Sequence, residues 1–223
     1  MFENVRFVFF DVGSTLLFAN RERMLEPLHA RGFRPSEQQL RAMECTVKNE
    51  FDEVMERGGK SDHGFWDRFY MRLFEELHLE DEPLRQQLMA NTHRSMNWNQ
   101  MRPGTREALQ RMGAKYDLAV ISNADGRIAE LLAGCGIADC FRTITDSGIV
   151  GHEKPHPAIF ERALSSVEAR AEHSLYVGDV FSVDYQGATQ AGMKAVLFDV
   201  CGAYREKRLP RVESLEELVE MIS

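Results

Sequence analysis

Apolar and polar positions change rhythm along the chain. From residue 104 onward, short apolar runs recur: DLAVIS (117–122), RTITDS (142–147), SLYVGD (174–179) and KAVLFD (194–199). Each is a near-continuous Val/Ile/Leu/Phe run rather than an alternating one, the pattern of a strand covered on both faces. VRFVFFD at the start belongs to the same set. Helical patterns lie between the runs: Thr105 to about Met112 after Gly104, Asp125 to Ala133 ending near Gly134, Pro157 to about Ser166, and Asp184 to Ala191 stopped by Gly192. Strand and helix in alternation predict a parallel sheet with helices on both faces.

Residues 20–98 break that alternation. Ser36 with Gln39 is a capping-box pair, and Leu40, Met43, Val47, Phe51, Val54 and Met55 follow at helical spacing. Phe65, Phe69, Leu73, Phe74 and Leu77 mark one face of a second helix, and Leu84, Leu88 and Met89 a further one. GGKSDHG (58–64), with its glycines, reads as the turn between two long helices. SLEELVEMI at the end reads as a last helix capped by Ser214.

Composition narrows the function classes. A chain of 223 residues, 43% of them hydrophobic, is long enough to bury a core. Its 27 basic and 35 acidic residues give a net charge of −8 with no basic run of five or more, which argues against a phosphate-backbone footprint and favours small-molecule work over nucleic acid. VRFVFF is far shorter than a membrane span and lacks the flanks of a signal peptide, so no membrane association and a cytoplasmic location are expected. Cys45, Cys135, Cys140 and Cys201 have neither metal-site nor disulfide spacing and read as reduced thiols.

Several strand-like runs end in a polar group: Asp11 after VRFVFF, Ser122 with Asn123 after DLAVI, and Asp179 after SLYVG. In open parallel sheets ligands bind beyond the carboxyl ends of the strands, so these residues are expected to converge on one crevice together with Lys154 of GHEKPHP. His152 and His156 flank that lysine and are assigned no role.

DVGST (11–15), ISN (121–123), EKPHPAIF (153–160) and GDVFSVD (178–184), in this order, resemble the four motifs of the haloacid dehalogenase (HAD) superfamily. The likeness runs over essentially the whole chain, and the insertion after the first motif is similar to the helical cap of one subgroup. It implies an α/β, Rossmann-like core with helices on both faces (residues 1–18 and 99–223) and an inserted α-helical cap (19–98). It also implies Asp11 as nucleophile, Thr15, Ser122 and Lys154 as the other catalytic positions, and Ser122, Asn123 and Lys154 around the transferred group. Mg²⁺ is the implied cofactor, held by Asp11, Asp179, Asp184 and the backbone carbonyl of Gly13, and a small phosphorylated molecule the implied substrate.

One departure carries the question of function. Phosphatases of the family have an Asp two residues past the nucleophile, which protonates the leaving group; here it is Gly13. General acid–base catalysis contributes roughly 10²- to 10⁴-fold. Three readings follow: a Mg²⁺-dependent phosphatase with a good leaving group or a cap-borne acid, for which Asp62 and His63 are placed; a haloacid dehalogenase or phosphonatase-type hydrolase, the latter needing a cap lysine such as Lys48 or Lys60; and a non-catalytic phospho-ligand binding protein. Asp179 and Asp184 weigh against the dehalogenase, because without a cation two acids would repel Asp11 and raise its pKa. Phe51 and Trp66 bracket the glycine-rich turn, where specificity contacts are expected.

Overall fold

In the computed structural model, which describes residues 2–58 and 64–223, the strands are β1 (Phe7–Phe10), β2 (Leu17–Phe18), β3 (Gln100–Met101), β4 (Asp117–Ser122), β5 (Thr143–Asp146), β6 (Ser174–Gly178), β7 (Lys194–Phe198) and β8 (Arg211–Val212). The helices are α1 (Arg21–Met24), α2 (Glu26–Ala30), α3 (Glu37–Glu56), α4 (Gly64–Glu76), α5 (Glu82–Thr92), α6 (Thr105–Gly113), α7 (Ile128–Gly134), α8 (Ser147–Val150), α9 (Pro157–Ser166), α10 (Gln186–Gln190) and α11 (Leu215–Ile222). Six strands form one sheet in the order β5-β4-β1-β6-β7-β8, each neighbouring pair parallel.

The continuous apolar runs are explained by this sheet. Successive side chains on a strand point to opposite faces. On β1, Val8 and Phe10 pack with residues of α6, α7 and α11, whereas Phe9 packs with residues of α9 and α10. Both faces are dry, so both parities must be apolar. Asp11 continues the ladder by one bond, its N–H donating to Val177 O at 2.8 Å, which fixes where its carboxylate leaves the strand.

Three local features depart from the sequence reading. The helix expected from Asp125 starts at Ile128, because Gly126 takes a φ of +89° and the buried Asp146 carboxylate accepts from the N–H groups of Gly126 and Ile128. The helix expected from Asp184 begins earlier, with a π turn over Phe181–Tyr185, where the N–H groups of Asp184 and Tyr185 both reach Val180 O. The short strand β8 and the antiparallel pair β2–β3 had no periodic signal, being two residues each.

Helices α1 to α5 enclose their own apolar cluster, with Leu28, Leu40, Val47, Phe69, Leu73 and Leu88 at its centre. The Ser36–Gln39 pair caps α3 as expected, Gln39 N–H donating to Ser36 Oγ and Ser36 N–H to Gln39 Oε1. The expected turn falls largely on residues 59–63, outside the described residues, as do Lys60, Asp62 and His63. One face of α3 meets the sheet half at intervals of four, three and four residues. Arg41 donates to Val200 O, Cys45 Sγ to Cys201 O, Lys48 Nζ to Asp179, and Asp52 accepts from Ser182 N–H at 2.9 Å. The cysteines are unpaired as disulfides.

Leu73 is nearly fully buried at the centre of the helical cluster. Leu73→Ala should lower stability by about 2–5 kcal/mol, through lost transfer energy plus a cavity, read as a drop in the urea midpoint at unchanged slope.

Candidate active site

The strand ends bring the predicted acids together. Asp11 follows β1, Asp179 follows the neighbouring β6, and Asp184 returns from the π turn, so that carboxylate oxygens of all three lie within 4.8 Å of one another. All three are buried. The return of Asp184 sets the residue at 178: a Cβ there would stand 2.5 Å from Asp184 Cγ, so only glycine leaves room for that carboxylate. Two other strand-end acids serve the backbone instead. Asp146 holds the loop before α7, and Asp199 after β7 accepts from the N–H groups of Ala203 and Tyr204.

Two buried lysines meet the acids. Lys154 Nζ donates to Asp11 Oδ1, Asp184 Oδ1 and the Tyr176 hydroxyl, each at 2.7 Å. Its loop is held to the end of β4 by Asn123, whose side chain donates to Lys154 O at 3.0 Å and accepts from Lys154 N–H at 2.7 Å. Lys48, from α3, donates to Asp179 Oδ2 at 2.6 Å and to Asp179 O at 2.8 Å.

The charge balance is uneven. Burial, opposed by Lys154 and reinforced by Asp184 and Asp179, pushes the Asp11 carboxyl up to about 7. Burial also raises Asp179 against the pull of Lys48. For Lys154 and Lys48 burial acts downward, but the adjoining carboxylates outweigh it and both ammonium groups are held above the ordinary lysine range. Lys48 therefore stays a cation, although nothing in the pattern of α3 marks it as buried. Three carboxylates face two ammonium groups, and an all-oxygen donor set with residual negative charge suits a hard divalent cation.

A cavity of about 340 Å³ opens from these groups. Asp11, Gly13, Ser122, Asn123, Lys154, Asp179 and Asp184 all line it, so seven of the eight predicted positions converge. Thr15 does not line it; it is buried and its hydroxyl has no hydrogen-bond partner. Lys48, Trp66 and Trp98 line it as well. Trp98 was not singled out from sequence, and the space beside Gly13 belongs to it: a Cβ at residue 13 would lie 3.6 Å from Trp98 Cε3 and Cζ3. His152 and His156 stack on each other, ring centroids 4.5 Å apart, and do not line the cavity.

The family model of the haloacid dehalogenase-like hydrolases matches residues 5–192. Among curated proteins, the chain is 33% identical over 146 residues to haloacid dehalogenase-like hydrolase domain-containing protein 3 of Xenopus laevis, covering 62% of this chain and 59% of that one. It is 36% identical over 136 residues to glyceraldehyde 3-phosphate phosphatase of Methanothermobacter thermautotrophicus, covering 59% of this chain and 60% of that one. The matches thus span about three fifths of the length of these relatives. In fold it is similar to a magnesium-bound HAD-hydrolase of Bacillus subtilis, with a TM-score of 0.74 at 20% identity over 98% of this chain and 99% of the other. With three of the four motifs at strand ends of a parallel sheet, the third leading into α9, and a family model matching most of its length, the chain belongs to the haloacid dehalogenase-like hydrolases.

Proposed function

We propose that this hydrolase is a Mg²⁺-dependent phosphatase acting on a small phosphorylated metabolite through an aspartyl-phosphate at Asp11, with Gly13 where a general acid would stand. The observation that carries the reading is the juxtaposition of Asp11, Asp179 and Asp184 with Lys154 bridging Asp11 and Asp184. Relatives in three archaea at 31–36% identity, each named a glyceraldehyde 3-phosphate phosphatase, support phosphate as the group removed. Helices α1 to α5 act as the cap, over a core of residues 1–18 and 99–223.

The donor set fits Mg²⁺, which takes oxygen ligands and leaves positions for substrate phosphate and water. Asp11, Asp179, Asp184 and the Gly13 carbonyl would hold it. When bound, the ion lowers the repulsion between nucleophile and phosphate and offsets the charge that developing oxygens carry. Asp11 Oδ attacks phosphorus in line, forming one O–P bond as the bond to the leaving oxygen breaks. Ser122, the backbone N–H of Asn123 and the Lys154 ammonium surround the transferred group and stabilise it electrostatically. Water then adds to phosphorus, the bond to Asp11 breaks, and the water proton passes to solvent. No role at the reacting atoms falls to Thr15, whose hydroxyl lies away from the cavity.

Lys48 disfavours the phosphonatase alternative. A Schiff base starts from a neutral amine, and this ammonium is held charged by two bonds to Asp179. The other cap groups considered, Lys60, Asp62 and His63, lie outside the described residues.

Acetyl phosphate and p-nitrophenyl phosphate should be hydrolysed with Mg²⁺ far faster than a simple sugar phosphate, and Asp11→Asn should abolish all turnover; a sugar phosphate cleaved as fast as the others would contradict the missing acid. Gly13 has no left-handed φ and a Cβ there makes ordinary contact with Trp98, so Gly13→Asp fits. It should raise kcat on the sugar phosphate by roughly tenfold or more, with a stopped phosphate-release assay as the readout.

Without metal, native Asp11 keeps its proton up to about 7, whereas unfolded Asp loses it near the ordinary 3.8. The folded state binds more protons in that window, so this group's contribution to stability falls as pH rises through it. A bound cation requires the carboxylate, so Mg²⁺ affinity should weaken as pH drops below about 7, approaching tenfold per unit for one displaced proton. Calorimetric Mg²⁺ titrations at several pH values check this; a pH-independent affinity would contradict it.

A further inference from the structure

The wall of the cavity facing Gly13 is aromatic. Trp98 stands over Gly13, and Trp66 meets Trp98 edge to face with ring centroids 5.3 Å apart. Phe65 meets Trp66 at 4.9 Å and 87°, and Phe51 meets Phe65 at 6.0 Å and 87°. Phe51 is fully buried in the helical packing, but Phe65, Trp66 and Trp98 are only half-buried, so they have surface left to give to a ligand. The rings are also fixed in place. Trp98 Nε1–H donates to Thr92 O at 2.8 Å, and Trp66 is backed by Phe69 at 5.3 Å.

Polar groups beside this wall are already committed. Glu44 accepts from Arg21, Asp125 from the Ser95 N–H and hydroxyl, and the Thr92 hydroxyl is bonded to Leu88 O and the Tyr70 hydroxyl. Glu153 and His93 each have an interaction of their own, although His93 Nε2 makes no hydrogen bond. A hydroxyl-rich leaving group would lose its water there and recover few hydrogen bonds, which costs free energy for each group left unpaired. An aromatic ring would bury apolar area against rigid rings and add edge-to-face contacts.

From these observations we infer that the leaving group is an aromatic alcohol: the substrate is an aryl phosphate monoester, its ring held against Trp66 and Trp98 and its phosphate at Asp11. This rests on the phosphatase reading and deepens it. The two halves of the cavity then agree chemically. Attack by Asp11 Oδ forms the O–P bond, the P–O(aryl) bond breaks, and the electron pair leaves with the phenolate. Phenolate is stable enough to depart unprotonated and takes its proton later from solvent. The ring thus does by acidity what an Asp at residue 13 would do by proton delivery.

The test separates ring recognition from leaving-group acidity. Phenyl phosphate and hexafluoroisopropyl phosphate have leaving groups of similar acidity, but only one carries a ring. With Mg²⁺, phenyl phosphate should show a KM at least fivefold lower, and Trp66→Leu should erase most of that difference while Trp66→Phe keeps it. Equal KM values in the wild type, or a difference untouched by Trp66→Leu in a variant with the wild-type circular dichroism spectrum, would overturn the inference and leave the phosphatase reading standing. Absence of any turnover above the Asp11→Asn blank for either ester would overturn both.

Discussion

Three buried carboxylates within 4.8 Å of one another are the constraint on which the rest of the molecule turns. Burial raises the Asp11 and Asp179 carboxyl groups, and the neighbouring acids add to the rise. Lys154 and Lys48 answer only part of the charge. The buried network is costly to assemble, because removing several charges from water is repaid only by well-made bonds. Its members are accordingly well bonded: Lys154 has three acceptors, Lys48 two, and Asp184 Oδ2 accepts from Val180 N–H. What remains is a cluster of carboxylate oxygens that the two ammonium groups do not fully balance.

The same constraint joins the two halves of the chain. Lys48 belongs to α3, while Asp179 ends a strand of the sheet. Four residues on, Asp52 grips the N–H of Ser182 in the π turn that also presents Asp184. The helical half is therefore bonded to Asp179 and to the turn that carries Asp184. Cys45 and Arg41 extend the contact along the same helix face, but bond only to backbone carbonyls of residues 200 and 201.

Much of this was legible in the sequence, for a physical reason. A parallel sheet buried on both faces writes itself as uninterrupted apolar runs, and a polar residue that ends such a run must sit at the sheet's carboxyl edge. Asp11, Ser122 and Asp179 follow from that alone, and seven of the eight predicted positions line one cavity. Lys48 stood out only as a possible Schiff-base lysine; its burial against Asp179 was not legible, because it lies between Val47 and Asn49 on an amphipathic helix and only the packing of α3 on the sheet turns it inward. Trp98 was equally hidden, since its partner Gly13 is 85 residues away (98 − 13) and its role depends on a side chain that is absent. Thr15 shows the reverse case, a motif position whose hydroxyl reaches no group of the cavity.

The proposed nucleophile, Asp11, would work without a proton donor at residue 13. The most direct measurement is kcat/KM across a series of substituted phenyl phosphates of constant shape, with Mg²⁺ and with Asp11→Asn as the blank. A steep decline, on the order of tenfold for each unit rise in leaving-group pKa, is the expected result. A flat dependence, with turnover still lost in the blank, would contradict it by showing that another group delivers the proton.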